Sequence, residues 1–255
     1  MATYREDHGN DEALAKIFGY LFTNWLRVWA LGSIFGLVAV EGEKINFEKL
    51  TQLSDLGLHS GRALLALAGS LVVSSWTAFE SLATDLWIVA VNKRPKLLGL
   101  KIAKLPRSAV TDEDRTGRHD PAKGIRISAI EKYNLNLHDH MGDILGERFN
   151  FGILDSIRRA YLQAFGDSGA IATIVSNPDL DSLHAVRNLL VHRGGIVDEF
   201  FLSRVDKDPK LKSLQTDTVL AVDGPLALRL MRCADSCSAD LFKSVSKWLT
   251  DNPDP

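Results

Sequence analysis

Apolar residues recur along most of this chain with the three-four rhythm of helices, and only one short stretch alternates as a strand would. Phe18, Leu21, Phe22, Trp25, Trp29 and Leu31 predict a long N-terminal helix over about 11–40, loosened at Gly32 and Gly36. Ile45 to Leu56 reads as a short helix or an irregular connection. His59 to Val91 is the longest periodic segment, with a buried face marked by Leu64, Leu67, Leu71, Ser75, Phe79, Leu82 and Leu86. Asn92 to Pro95 ends it. Further helices are expected over about Ser128–Glu147, Phe151–Gly166 and 179–193. In the last, Asn177-Pro178-Asp179 is the start signal, with Asp179 as cap or first-turn acid, and Gly194-Gly195 is the stop. Gln215 to Val222 alternates weakly and is the candidate β element. A final helix over about 225–249 carries Leu226, Leu230, Ala234, Leu241, Val245 and Trp248. The expected fold is an all-α bundle in one domain over 1–255, with a small β element before the last helix and no internal repeat.

Charge changes this picture in one place. The whole chain has 255 residues and a net charge of −2, so it is not a polycation made to coat nucleic acid. Between Lys93 and Arg126, however, ten Lys or Arg stand against four Asp or Glu, a local net of +6 that leaves −8 for the rest. Lys93, Arg94, Lys96, Lys101, Lys104 and Arg107 fall in a run without an acid, and Ser108 to Gly124 reads as a polar loop. The stretch is either a solvated connection or a landing strip for a polyanion.

The start of the chain is polar and acidic rather than signal-like, and the apolar run Val28 to Val40 is shorter than the about 20 residues that span a bilayer. The expected location is the cytoplasm, without a membrane. Cys233 and Cys237, four apart on a helix, read as small, buried or half-buried thiols in a reducing compartment, with a metal pair as the rival reading. His138-Asp139-His140 with Asp143 hints at a metal, but two histidines two apart fall on different sides of a helix, so no metal is expected. Trp25, Trp29, Trp76, Trp87 and Trp248 read as core or interface aromatics.

The residues with chemistry are concentrated in Arg187-Asn188-Leu-Leu-Val-His192-Arg193-Gly-Gly-Ile-Val-Asp198. At 100° per residue, Leu183, Val186 and Leu190 share the core side of the helix. Asp181, His184, Asn188 and His192 share the opposite side, and Arg187 lies on the border. Arg offers a planar fork for a phosphate, and His exchanges a proton near neutral pH. Asn188, one turn before His192, is placed to hydrogen-bond its ring or to hold a substrate. The alternative is a structural pair in which His192 stabilises the helix end through its dipole. An Arg followed directly by Asn and, at any of three tolerated spacings, by His is expected roughly 0.05 times by chance in such a chain.

Arg187-Asn-x-x-x-His192 resembles the R-x4-6-H motif of the HEPN superfamily. His192-Arg-Gly-Gly-Ile-Val-Asp198 resembles the segment after that motif in members of the bacterial defence and toxin type. Ser75-Trp-Thr-Ala-Phe-Glu80-Ser-Leu resembles the family helix that packs beside the motif and carries an acid. The resemblance covers about residues 60–250, with motif content near 75–90 and 183–200. It implies a helical bundle that dimerises with two motifs across a shared cleft. It also implies a metal-independent, cofactor-free endoribonuclease, leaving a 2′,3′-cyclic phosphate and acting as a toxin or anti-phage effector. Carried over, Arg187 and His192 are the catalytic pair and Asn188 the polar assistant, with Glu80 and His184 as auxiliaries. RNA would be the partner, guided by Lys93, Arg94, Lys96, Lys101, Lys104, Arg107 and Arg193, and an antitoxin or regulator would hold activity in check. A non-catalytic RNA- or nucleotide-binding module, or an inactive interaction subunit of a defence complex, is the alternative. The N-terminal helix and the 93–126 insertion lie outside the resemblance.

Overall fold

The computed structural model describes residues 58–103 and 130–253. The expected helices over 11–40 and 45–56, the polar loop at 108–124, Trp25, Trp29, Lys104 and Arg107 lie outside the described residues. Of the described residues, 72% are helical and none form a strand, so this part of the chain is all-α. Its elements are α1 (Leu58–Lys93), a π-helical turn (Pro95–Gly99), α2 (Leu100–Ala103), α3 (Met141–Gly146) and α4 (Leu154–Phe165). They continue with α5 (Ala170–Val175), α6 (Pro178–Arg193), α7 (Glu199–Arg204), α8 (Pro209–Lys212) and α9 (Gly224–Asp251). They fall into two compact units, 58–82 with 177–237 and 83–176 with 238–253.

The first unit carries the motif. Along α1 the buried positions are Ala68, Val72, Ser75, Trp76, Phe79 and Leu82, while Leu67 and Leu71 are only half-buried. The buried stripe is therefore centred about one position further along than the Leu67–Leu71 line, and the fully buried Trp76 lies on it. Helix α6 buries Leu180, Leu183, Val186 and Leu189, and α9 buries Ala227, Leu230, Cys233, Ala234 and Cys237. The two thiols lie 3.9 Å apart and unlinked. Sharing that contact, and burial, both push the Cys233 thiol pKa up.

One buried acid ties three elements of this unit. Asp208 accepts from the Ser182 hydroxyl of α6 at 3.1 Å and from the Arg229 guanidinium of α9. It also caps α8 through the Lys210 and Leu211 amides. Arg229 reaches Asp179 as well, at 3.0 Å. Burial alone would raise the Asp208 pKa; Arg229, the Leu211 amide and Ser182 outweigh it and hold it below the usual aspartate value.

In the second unit, Trp87 and Tyr161 are fully buried with both polar atoms satisfied. The indole donates to the Ala160 carbonyl at 2.9 Å and the phenol to the Ala83 carbonyl at 2.7 Å. Phe149 and Phe151 pack around Trp87, and Phe165 meets the half-buried Trp248 edge-on. The expected helix over 128–147 is broken: Asn134 and Leu135 adopt positive φ, and regular α-helix resumes only at Met141. Asparagine tolerates that conformation, and each turn taken there removes a helical hydrogen bond. Five short elements, the π-helical turn, α2, α5, α7 and α8, were not legible as periodic segments because none is long enough to show a period.

Candidate functional site

Helix α6 starts and stops where its sequence signals stand. Pro178 occupies the first turn, and the cap is Asn177, whose side chain accepts from the Asp179 amide at 2.9 Å, with Asp179 inside the first turn. Gly194 ends the helix at φ 61°, a conformation a glycine enters without steric cost, and the Gly195 amide closes onto the Leu189 carbonyl at 3.0 Å. The chain then makes one antiparallel bridge, Ile196 with Val219. The Val197 amide bonds the Thr218 carbonyl at 2.9 Å, and the Leu220 amide bonds the Gly195 carbonyl at 2.8 Å. The alternating stretch at 215–222 thus yields a single bridge rather than a strand, and it fixes the direction in which the chain leaves the motif.

The expected site residues meet in a connected chain of contacts. Arg187 donates through one terminal nitrogen, Nη1, to the Asn188 side-chain oxygen at 2.9 Å, and the same nitrogen lies 3.3 Å from His192 Nε2. Asn188 Nδ2 lies 3.1 Å from His184 Nε2. The His184 ring packs on Trp76 with centroids 4.6 Å apart, and the Trp76 indole donates to Glu80 at 2.8 Å. Of the two roles expected of Asn188, the bond to the His192 ring is not made: Asn188 bonds Arg187 and His184, and Arg187 itself meets His192. Neighbours four apart on a helix admit either contact, and the buried Trp76 face holds His184 on the Asn188 side.

His192 is exposed, whereas Arg187, Asn188 and His184 are half-buried. The Arg187 Nε is buried and makes no hydrogen bond among the described residues. Arg193 is exposed and pairs with Asp198 at 3.0 Å, and Asp198 caps α7 through the Phe201 amide. Around the motif, Val191, Ile196, Phe200 and Val219 are exposed apolar side chains, Phe200 and Val219 the most so at 60% and 72%.

The basic run is less uniform than its sequence. Its first part is helical, with Leu98 and Ile102 buried. Lys96 and Lys101 are exposed, Lys93 is half-buried, and the Lys101 ammonium reaches the Ala164 carbonyl at 3.2 Å. Arg94 is not an open cation: it donates to the carbonyls of Lys93, Leu249 and Asn252, so it closes the end of α9 instead of facing solvent with a free fork. His138 pairs with Asp139 and His140 with Asp143, and no group of three or more His, Cys, Asp or Glu side chains with metal-holding geometry occurs among the described residues. One described segment, Leu65–Lys93, is long and apolar enough to cross a membrane by length and composition. It also supplies Trp76, Phe79, Leu86 and Trp87, which are buried within the two units.

Trp76, Asp208 and Arg229 were not among the expected site residues. The Trp76–Glu80 spacing of four was a readable signal, but nothing local announces that His184 lies on that indole. No family model matches the chain, and no curated protein or solved structure shows a significant match.

Proposed function

We propose that this protein is an endoribonuclease of HEPN type. The observation that supports the reading is the Arg187–His192 contact at 3.3 Å with Asn188 on the same guanidinium nitrogen. It puts a fixed cation and a titratable ring at one accessible helix end. In this mechanism His192 Nε2 takes the proton of a ribose 2′-hydroxyl, and the 2′-oxygen attacks the adjacent phosphorus. Arg187 offsets the charge that grows on the non-bridging oxygens. The P–O5′ bond breaks and the 5′-oxygen takes a proton from water, giving a 2′,3′-cyclic phosphate and a 5′-hydroxyl. The long Arg187–His192 contact is one that a phosphate, offering charge-assisted bonds to the fork, displaces. Metal independence is carried by the HEPN resemblance.

A homodimer with a composite site belongs to the same proposal. It is supported by the exposed apolar set Val191, Ile196, Phe200 and Val219 beside the motif. Sedimentation at micromolar protein is expected to give a dimer; a monomer argues against a shared cleft. Lys96 and Lys101 would guide the RNA backbone, and an antitoxin or regulatory partner would restrain activity. The chemical test is a matched pair of oligonucleotides, one all-RNA and one with 2′-deoxyribose throughout. Cutting of the first alone fits a 2′-oxygen nucleophile; cutting of both contradicts it. Tight RNA binding without products would favour a non-catalytic binding module.

A further inference from the structure

We propose that Trp76 and His184 are positioning residues that set the Arg187–His192 contact through the amide of Asn188. The kinetic consequences rest on the ribonuclease reading above; the geometry does not.

Donor and acceptor chemistry fixes the order of these contacts. A guanidinium has five N–H donors and no acceptor. Whatever bonds Arg187 Nη1 must therefore accept, so Asn188 has to present its carbonyl oxygen there, at 2.9 Å. That leaves the Asn188 NH2 facing His184, 3.1 Å from Nε2, and this nitrogen must accept in turn. The His184 ring proton then resides on Nδ1. The same logic applies to His192: its Nε2 lies 3.3 Å from Arg187 Nη1, so it holds a lone pair and its proton is on Nδ1. Nε2 is the atom that would take the ribose proton.

The two histidines are thereby coupled through one amide. If His184 presented an N–H from Nε2, Asn188 would have to turn its amide by half a rotation. Its NH2 would then face the guanidinium, donor against donor, and Nη1 would be pushed from the position it shares with His192. Every hydrogen bond Arg187 makes among the described residues runs through that single nitrogen, and its Nε is buried without one. Without the Asn188 oxygen, only the long contact to His192 would orient the cation among the described residues.

Trp76 makes the arrangement rigid. It is fully buried, its ring lies against that of His184, and its indole N–H is held by Glu80. Two helices separated by about a hundred residues thus define one rotamer of His184. Glu80 joins the chain by accepting from this indole, which gives the acidic residue of α1 a positioning role.

The experiment uses the full chain, a mixed RNA oligonucleotide pool and three variants, His184→Leu, His184→Gln and Trp76→Phe. Glutamine can put an acceptor oxygen where Nε2 stood; leucine cannot. The expected result is a fall in kcat of about 100-fold for His184→Leu with little change in KM. His184→Gln should recover most of it, and Trp76→Phe, which keeps the ring but loses the Glu80 bond, should fall between. Ring-nitrogen NMR of the wild type should show both His184 and His192 protonated on Nδ1, with the His192 signals displaced in His184→Leu and kept in His184→Gln. Unchanged kcat in His184→Leu, or His184→Gln as poor as leucine, overturns the proposal. If the wild type cuts no RNA, the ribonuclease reading fails by itself. The NMR then decides: a proton on Nε2 of either ring overturns the positioning chain, and Nδ1 on both sustains it. If His184→Leu does not fold, His184→Gln and the wild-type signals decide in the same way.

Discussion

Replacing Asp208 by alanine should remove the tie that seats the motif helix. Its carboxylate accepts four hydrogen bonds, from Ser182, Arg229 and the Lys210 and Leu211 amides, in a side chain only 6% exposed. Loss of the cap on α8 costs about 0.5–2 kcal/mol. Leaving the buried Ser182 hydroxyl without its acceptor costs about 1–3 kcal/mol. Breaking a buried ion pair costs about 3–5 kcal/mol when the partner is stranded. Here Arg229 keeps Asp179 at 3.0 Å and is itself part-exposed, so that last figure is an upper bound. These losses share groups and do not add, which leaves about 3–4 kcal/mol out of the 5–15 that hold a typical domain. Urea unfolding at pH 7, followed by circular dichroism, measures it. Asp208→Asn keeps an acceptor and should lose less. The pH dependence has a definite sign. The folded pKa of Asp208 lies below the ordinary 3.8, so its stabilisation is complete above 3.8 and is lost as pH falls through the folded value. The gap between wild type and Asp208→Asn should be constant near neutrality and close in acid below 3.8. A loss under about 1 kcal/mol for Asp208→Ala, or a gap that widens in acid, would refute the reasoning.

Three further outcomes are expected. Gly142→Ala should destabilise by about 1–3 kcal/mol in thermal unfolding, because a Cβ there would overlap the Ile88 carbonyl oxygen, a backbone atom that cannot swing aside. Cys233 should resist a disulfide reagent at pH 8 until the chain is unfolded, since its shared contact with Cys237 and its burial favour the thiol; rapid labelling in the native state would contradict this. Neutralising Lys93, Lys96, Lys101, Lys104 and Arg107 together should flatten the salt dependence of RNA affinity by roughly 0.7 per lost phosphate contact, whereas an unchanged slope removes the guiding role. Arg94 is left out of that set because its guanidinium is spent on three carbonyls of the fold.

Helix α6 was readable almost to the residue, because its boundaries are local chemistry: a capping Asn, a Pro in the first turn and a Gly that can take positive φ. The long α1 and α9 were readable for another reason, since many turns of one period leave a strong pattern. The expected helix over 128–147 missed the break at Asn134 and Leu135, where the backbone takes positive φ. At the site, spacing showed that His184, Asn188 and His192 share a face of α6 with Arg187 at its border, but not which of them bond. The choice that Asn188 makes between His184 and His192 depends on Trp76, which the fold brings to His184 from a distant segment. The basic run shows the same limit. Its sequence counts charges, but Arg94 bonds carbonyls of α9 more than 150 residues away.

The ribonuclease reading stands or falls on cleavage of a mixed RNA pool by the purified chain in excess EDTA, beside His192→Ala. The wild type is expected to cut, its products to carry 2′,3′-cyclic phosphate ends, and His192→Ala to lose about 100-fold or more in rate. No cutting by the folded, dimeric wild type, or equal cutting by His192→Ala, would contradict it.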